Sequence, residues 1–149
     1  MYDYRHILFP VDFSDQTQVV ARKVAELVRE TGARVTLLHV VANFPEDIPN
    51  DWIAPEDEPP RTYLQRRCEQ ELQELARKAG LGDAGLACLL TGHSARHAIV
   101  EFAQEQDVDL IVIGSHGRGH GTLGALVGSV TAGVVSSARQ DVLVVRDGA

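Results

Sequence analysis

Five short apolar runs divide the chain: Ile7–Val11, Val35–Val41, Leu86–Leu90, Leu110–Ile113 and Val142–Val145. They lack the strict polar alternation of a strand that keeps one face in water, so they read as strands covered on both faces. The segments between them carry apolar residues at helical spacing. Val20, Val24, Leu27 and Val28 mark a helix ending at Gly32, and Leu64, Cys68, Leu72, Leu75, Ala76 and Ala79 mark a second closed by Gly80. Ala95, Ala98, Ile99, Phe102 and Ala103 mark a third, and Val130, Val134, Val135 and Ala138 a fourth. Strands alternating with helices build right-handed parallel crossovers. The expected fold class is α/β: an open, doubly wound, parallel five-stranded sheet, Rossmann-like, with helices on both faces. A length of 149 residues fits a single domain over residues 1–149.

Local punctuation agrees with that order. Pro10 lacks a backbone donor and should close the first strand. Ser14, Ser94 and Ser129 stand where helix N-caps are expected. The stretch Asn43 to Pro60 breaks the pattern: it holds five of the six prolines and six acidic residues, with no Lys or Arg. It reads as an exposed irregular loop. Trp52 and Ile53 in its middle can fold back on the body, cover a ligand, or belong to a plain connector.

Charge and cysteine usage narrow the function classes. With 14 basic and 21 acidic residues the net charge is −7. That argues against a general nucleic-acid binder and against docking on anionic membranes. No apolar run approaches the roughly 18 residues of a membrane span, and the N-terminus leads straight into a strand without a signal peptide, so a cytoplasmic location is expected. Cys68 and Cys88 fall among apolar residues and read as buried free thiols, with no Cys-x-x-Cys site. His93 and His97 are four apart, and His116 and His120 flank glycines, but no zinc motif is matched and no metal is expected. No nucleophile-elbow context supports a Ser-His-Asp or Cys-His arrangement, so no catalytic residue is assigned.

The chemistry concentrates between Asp109 and Ser129. Here a buried strand runs into a glycine-rich loop and then into a helix, and six of the thirteen glycines fall between Gly114 and Gly128. Such loops also occur as plain connectors. Between a strand and a helix N-terminus, however, their backbone N–H groups make an anion site, usually for phosphate. The sequence is not a Walker A motif, because no Gly-Lys-Ser/Thr follows, and it is no clean G-x-G-x-x-G fingerprint. In a doubly wound sheet, ligands bind beyond the carboxyl ends of the strands, where the strand order reverses. Asp12 ends the first strand and Gly114 the fourth, so neighbouring strands would put both in one crevice. Asp12 can accept from ribose hydroxyls, help hold Mg²⁺, or cap its own turn. Arg118 can pair with phosphate oxygens or lie in solvent. Ser129 can cap the helix and donate to a phosphate.

The chain resembles the universal stress protein family over essentially its whole length. The resembling residues are Ile7-Leu-Phe-Pro-Val-Asp-Phe-Ser14, the strand ending Leu37-Leu-His-Val40, and Ile113-Gly-Ser-His-Gly-Arg118 with Gly128-Ser-Val130 downstream. The ATP-binding branch of that family carries G-x2-G-x9-G-[ST]. The resemblance implies sheet order 3-2-1-4-5 and a small regulator of the stress response that binds ATP or another adenine nucleotide, with Mg²⁺, between strands 1 and 4. It implies that Asp12 contacts ribose with Pro10 and Val11 near it, and that Val40 contacts adenine through its backbone. It also places Ile113, Gly114, Gly117, Gly128, Ser129 and Val130 around the phosphates, with Arg118 nearby. A homodimer through the last strand, Val142 to Val145, is implied too, together with a protein partner that the sequence does not identify. An apolar edge strand left unpaired would be a liability, which agrees.

One departure stands out: ten residues separate Gly117 from Gly128, where the family pattern has nine. The longer loop leaves a nucleotide-free dimeric adaptor as an alternative. An enzyme of nucleotide α-phosphate chemistry is disfavoured, since the turn after the first strand, Asp12-Phe-Ser14, has no glycine. Any ATP hydrolysis is expected to be slow.

Overall fold

The apolar runs do form one parallel sheet, in the order β3-β2-β1-β4-β5. The computed structural model describes residues 3–44, 58–116 and 127–146. The elements are β1 (His6–Pro10), α1 (Thr17–Thr31), β2 (Arg34–Val41), α2 (Pro60–Ala79) and β3 (Gly85–Leu90). Then come α3 (Ala95–Glu105), β4 (Leu110–Gly114), α4 (Ser129–Ser137) and β5 (Asp141–Val145). Central β1 pairs with β2 through Ile7–Val35 and Phe9–Leu37, and with β4 through Ile7–Leu110 and Leu8–Ile111.

Successive residues of β1 serve opposite cores, as the two-residue period of a strand requires. Ile7 and Phe9 pack with Val20 and Val24 of α1 and Leu72 and Leu75 of α2. Leu8 joins Leu38, Ile111 and Ile113 against Ile99 and Ala103 of α3 and Val134 of α4. Both faces of the central strands β1 and β4 are therefore dry, which is why these two show no alternation. Leu72 is fully buried, and truncating such a leucine to alanine typically costs about 2–5 kcal/mol.

Several local signals hold. Pro10 is the last residue of β1. Gly32 and Gly80 close α1 and α2 with φ of 73° and 74°, a left-handed conformation that a side chain would strain. Ser94 caps α3 by accepting from the His97 N–H at 3.2 Å.

Three expectations need correction. First, Ser14 and Ser129 are not N-caps. The Asp12 carboxylate accepts from the Ser14 N–H at 2.9 Å, and Phe13 takes a φ of 56°. These hold the chain in an extra turn, so that α1 starts only at Thr17, with Gln16 in the cap position. At α4 the cap position belongs to Gly128, because its N–H is held by the Ser115 carbonyl at 2.7 Å while its backbone is still extended. Second, Cys68 and Cys88 are not free thiols. The buried face of α2 lies on the inner face of β3, bringing their Cα atoms to 6.3 Å, and the two are joined as a disulfide. Third, Val130 and Val135 are exposed, at 39% and 49%, while Thr131 and Val134 are buried. The hydroxyl of Thr131 donates to the Gly114 carbonyl at 2.7 Å, and the Arg96 stem of α3 lies across Gly133. Together these set the rotation of α4 about its axis.

The base of the acidic loop is described only at its ends. Buried Phe44 donates its N–H to the Thr91 carbonyl and lies under the Arg61 guanidinium at 4.6 Å. Trp52 and Ile53 lie outside the described residues.

Candidate functional site

The sheet order makes β1 and β4 neighbours at its centre. After β1 the chain turns into α1, on one face with α2; after β4 it proceeds to α4, on the opposite face with α3. This is the point at which the winding reverses, and the crevice opens beyond the ends of β1 and β4.

At the β1 side, the Val11 backbone is engaged at both ends. Its N–H donates to the Leu38 carbonyl at 2.7 Å, and its carbonyl accepts from His39 Nδ1 at 2.6 Å. The His39 proton therefore sits on Nδ1, and the ring lies 4.9 Å from that of Phe13. Asp12 follows, half-buried, with one carboxylate oxygen on the Ser14 N–H. That is the turn-capping role anticipated for it, and a carboxylate has acceptor capacity left for further donors. Pro10 and Val40 are half-buried near these strand ends.

At the β4 side, Ile113 is buried and Gly114 half-buried. The Ser115 N–H donates to the Val145 carbonyl at 3.0 Å, and the Ser115 carbonyl receives the Gly128 N–H. One residue thus ties the end of β5 and the point where the chain returns to α4. The α4 N-terminus is thereby brought against the end of β4. Its first-turn N–H groups have no acceptor within the helix, which is the usual basis of an anion site. Ser129 and Val130 are exposed there, and Gly128 is half-buried. Gly117 and Arg118 lie outside the described residues.

The structure adds four residues that the motif reading did not single out: Gln16, His39, Ser115 and Thr131. Two had a visible signal. His39 is a polar side chain within an apolar run, and Gln16 lies four residues before Val20 on the buried face of α1. Buried polar groups need partners.

At the other end of the sheet, a cavity is lined by Asp3, Tyr4, Asp109, Arg139 and Asp141. Its polar groups serve the fold: Asp109 accepts from the N–H groups of Arg5 and His6, and the Tyr4 hydroxyl donates to Asp141 at 2.7 Å. Among the described residues no helix is long and apolar enough to cross a membrane.

A model of the universal stress protein family matches residues 3–146. The chain belongs to the universal stress protein family. Universal stress protein A homolog 1 of Coxiella burnetii is 28% identical over 142 residues, spanning 95% of this chain and 96% of that one. The structure of universal stress protein MJ0577 of Methanocaldococcus jannaschii superposes with a TM-score of 0.75 over 99% of each chain, at 23% identity, and shows the shared fold. The universal stress protein of Archaeoglobus fulgidus in complex with dAMP gives a TM-score of 0.61 at 25% identity, covering 96% of this chain and 98% of that one. The five-stranded order is thus the family's architecture.

Proposed function

We propose that this universal stress protein is a small homodimeric regulator that binds ATP or a related adenine nucleotide in the crevice between β1 and β4. The observation that carries the reading is the convergence at the reversal point of the sheet. The Asp12 carboxylate follows β1, while Gly114 and the N-terminus of α4 meet beyond β4. A carboxylate suits ribose hydroxyls, and the N–H groups at Gly128, Ser129 and Val130 suit phosphates. Pro10, Val11, Val40 and Ile113 would line the approach, and Gly117 and Arg118 would complete the phosphate side. Mg²⁺ would arrive with the nucleotide, held mainly by phosphate oxygens, with Asp12 as the carboxylate at hand. The dAMP complex of the Archaeoglobus protein supports the adenine class.

The chain is read as one nucleotide-binding domain acting in the cytoplasm on a protein partner still to be found. Dimerisation through β5 is supported by its place at the sheet edge and by the apolar exposure of Leu143. We assign no base to activate water, so turnover is not part of the reading. The nucleotide-free adaptor gains from one observation: the His116 N–H, at the start of the glycine loop, is already taken by the Gln16 side chain at 2.8 Å.

The test is nucleotide content and affinity. Protein purified without added ligand, then denatured, should release adenine nucleotide, and stripped protein should bind Mg²⁺-ATP in calorimetry. Asp12→Ala should weaken that binding about tenfold or more, the scale of a hydrogen bond to a charged group. No released nucleotide and no heat would select the adaptor.

A further inference from the structure

We propose that Gln16 is a positioning residue: its buried amide fixes the start of the glycine loop and, through Ser115, the return of the chain at Gly128 and the affinity of the phosphate side of the crevice. The inference rests on the nucleotide-binding reading for its functional half. Its structural half stands on bonds already in place.

Gln16 is 6% exposed, and a buried primary amide is costly unless both its ends are satisfied. Both are satisfied by the chain leaving β4, about a hundred residues away. Nε2 donates to Ser115 Oγ at 3.0 Å, and Oε1 accepts from the His116 N–H at 2.8 Å. Ser115 is itself 1% exposed, so water is a poor substitute partner. The amide also lies directly over Gly114: a Cβ there would stand 2.8 Å from Gln16 Oε1 and 3.3 Å from Val20 Cγ2. A side chain at position 114 would therefore press on the Gln16 amide and on Val20.

The residue that Gln16 grips is the hub of the crevice. The Ser115 backbone holds Val145 on one side and Gly128 on the other. Gly128 in turn sets the start of α4, where the Thr131 hydroxyl returns to the Gly114 carbonyl. A shift of Ser115 must therefore move Gly128 and the first-turn N–H groups of α4. Gln16 need not touch a nucleotide to control it; it spends its own acceptor on His116 and acts on the phosphate side through Ser115.

The experiment compares wild type with Gln16→Met, which keeps the length and loses both bonds, and Gln16→Glu, which keeps an acceptor for His116. Amide exchange is followed at His116 and Gly128, with the capped His97 amide of α3 as internal control. Mg²⁺-ATP affinity is measured in parallel. Gln16→Met should speed exchange at His116 and Gly128 about tenfold, leave His97 unchanged, and weaken ATP about tenfold. Gln16→Glu should restore the protection at His116, whose acceptor it keeps, and not at Gly128, because it loses the Nε2 donor to Ser115. Exchange at Gly128 unchanged in Gln16→Met, or exchange at His116 equally fast in both variants, would overturn the proposal, because Gln16 would then only fill space. Should Gln16→Met not fold, Ser115→Ala removes the Nε2 bond alone, and unaltered exchange at Gly128 would overturn it in the same way. Wild type that binds no nucleotide would sink the nucleotide reading and the affinity claim with it, while the exchange data would still decide whether Gln16 holds the loop.

Discussion

The Nδ1 of His39 donates to the Val11 carbonyl at 2.6 Å, so β2 holds the backbone one residue before Asp12. The same ring lies against Phe13, whose φ of 56° is unusual for a bulky side chain. The strained turn is thus held from β2. His39→Leu should leave a carbonyl without its partner, at a cost of about 1–3 kcal/mol, read from the urea midpoint. If Asp12 binds nucleotide, the same variant should also weaken it. An unchanged midpoint would mean that the bond contributes nothing net.

Asp12 has two separable roles. Its carboxylate caps the turn by accepting from Ser14, which an asparagine oxygen can also do. Asp12→Asn should therefore leave the melting temperature within a few degrees of wild type, while Asp12→Ala should lose about 1 kcal/mol of stability. The nucleotide role should separate the variants differently, with both weakening Mg²⁺-ATP binding. Equal stability of all three proteins would show that the turn does not need its cap.

These residues show what a sequence can and cannot disclose. Gly32, Gly80 and Ser94 were legible because each acts on its own helix end. The sheet was legible because its central strands β1 and β4 are buried on both faces and the remaining runs stay apolar too. The Ser14 position failed because Asp12 and Phe13 compete for the same turn. Val130 and Val135 failed because the rotation of α4 is set by the Thr131–Gly114 bond and the Arg96 stem, neither visible in a helical period. Of the site, Asp12 and Gly114 could be named from their places at strand ends. Gln16 and Ser115 meet only once two segments far apart in the chain are packed.

The Cys68–Cys88 bridge closes a loop across α2 and the edge strand β3, with a sequence separation of 20. In the chain-entropy account a loop of this size contributes about 3 kcal/mol. Reduction by excess dithiol converts the bridge to two thiols and should lower stability by that order, and Cys68→Ser should match the reduced protein. Both sulfurs belong to buried residues, so alkylation should be slow until the reductant has acted. Two readily alkylated thiols in the untreated protein would contradict the bridge.

Gly114→Ala should be costly although alanine is the smallest addition. The new methyl would meet the Gln16 carbonyl oxygen at 2.8 Å and Val20 at 3.3 Å, and the oxygen cannot retreat without losing His116. Overpacking of this kind typically costs about 1–3 kcal/mol. Adding Gln16→Ala should recover part of the loss, because it removes the nearer obstacle. Strict additivity of the two changes in a double-mutant cycle would show that the contact is not the cause.

His6 should make stability depend on pH in the acid direction. The ring is 2% exposed at the start of β1, with Nδ1 on the Gln106 carbonyl at 3.0 Å and Nε2 on the Thr36 hydroxyl at 2.8 Å. Burial, assisted by the nearby Arg34 charge, holds its pKa below the ordinary 6.5, against the opposing pull of the Gln106 carbonyl, Asp109 and Asp107. The unfolded chain therefore takes up a proton at a higher pH than the folded one does. This contribution to stability is complete above the unfolded value of about 6.5 and is lost as the pH falls from there to the folded pKa. Urea midpoints taken between about pH 7.5 and 5.5 should decline with acid in wild type. They should decline less in His6→Gln, which can donate and accept at similar positions but cannot titrate. Identical slopes would assign the acid sensitivity to other groups.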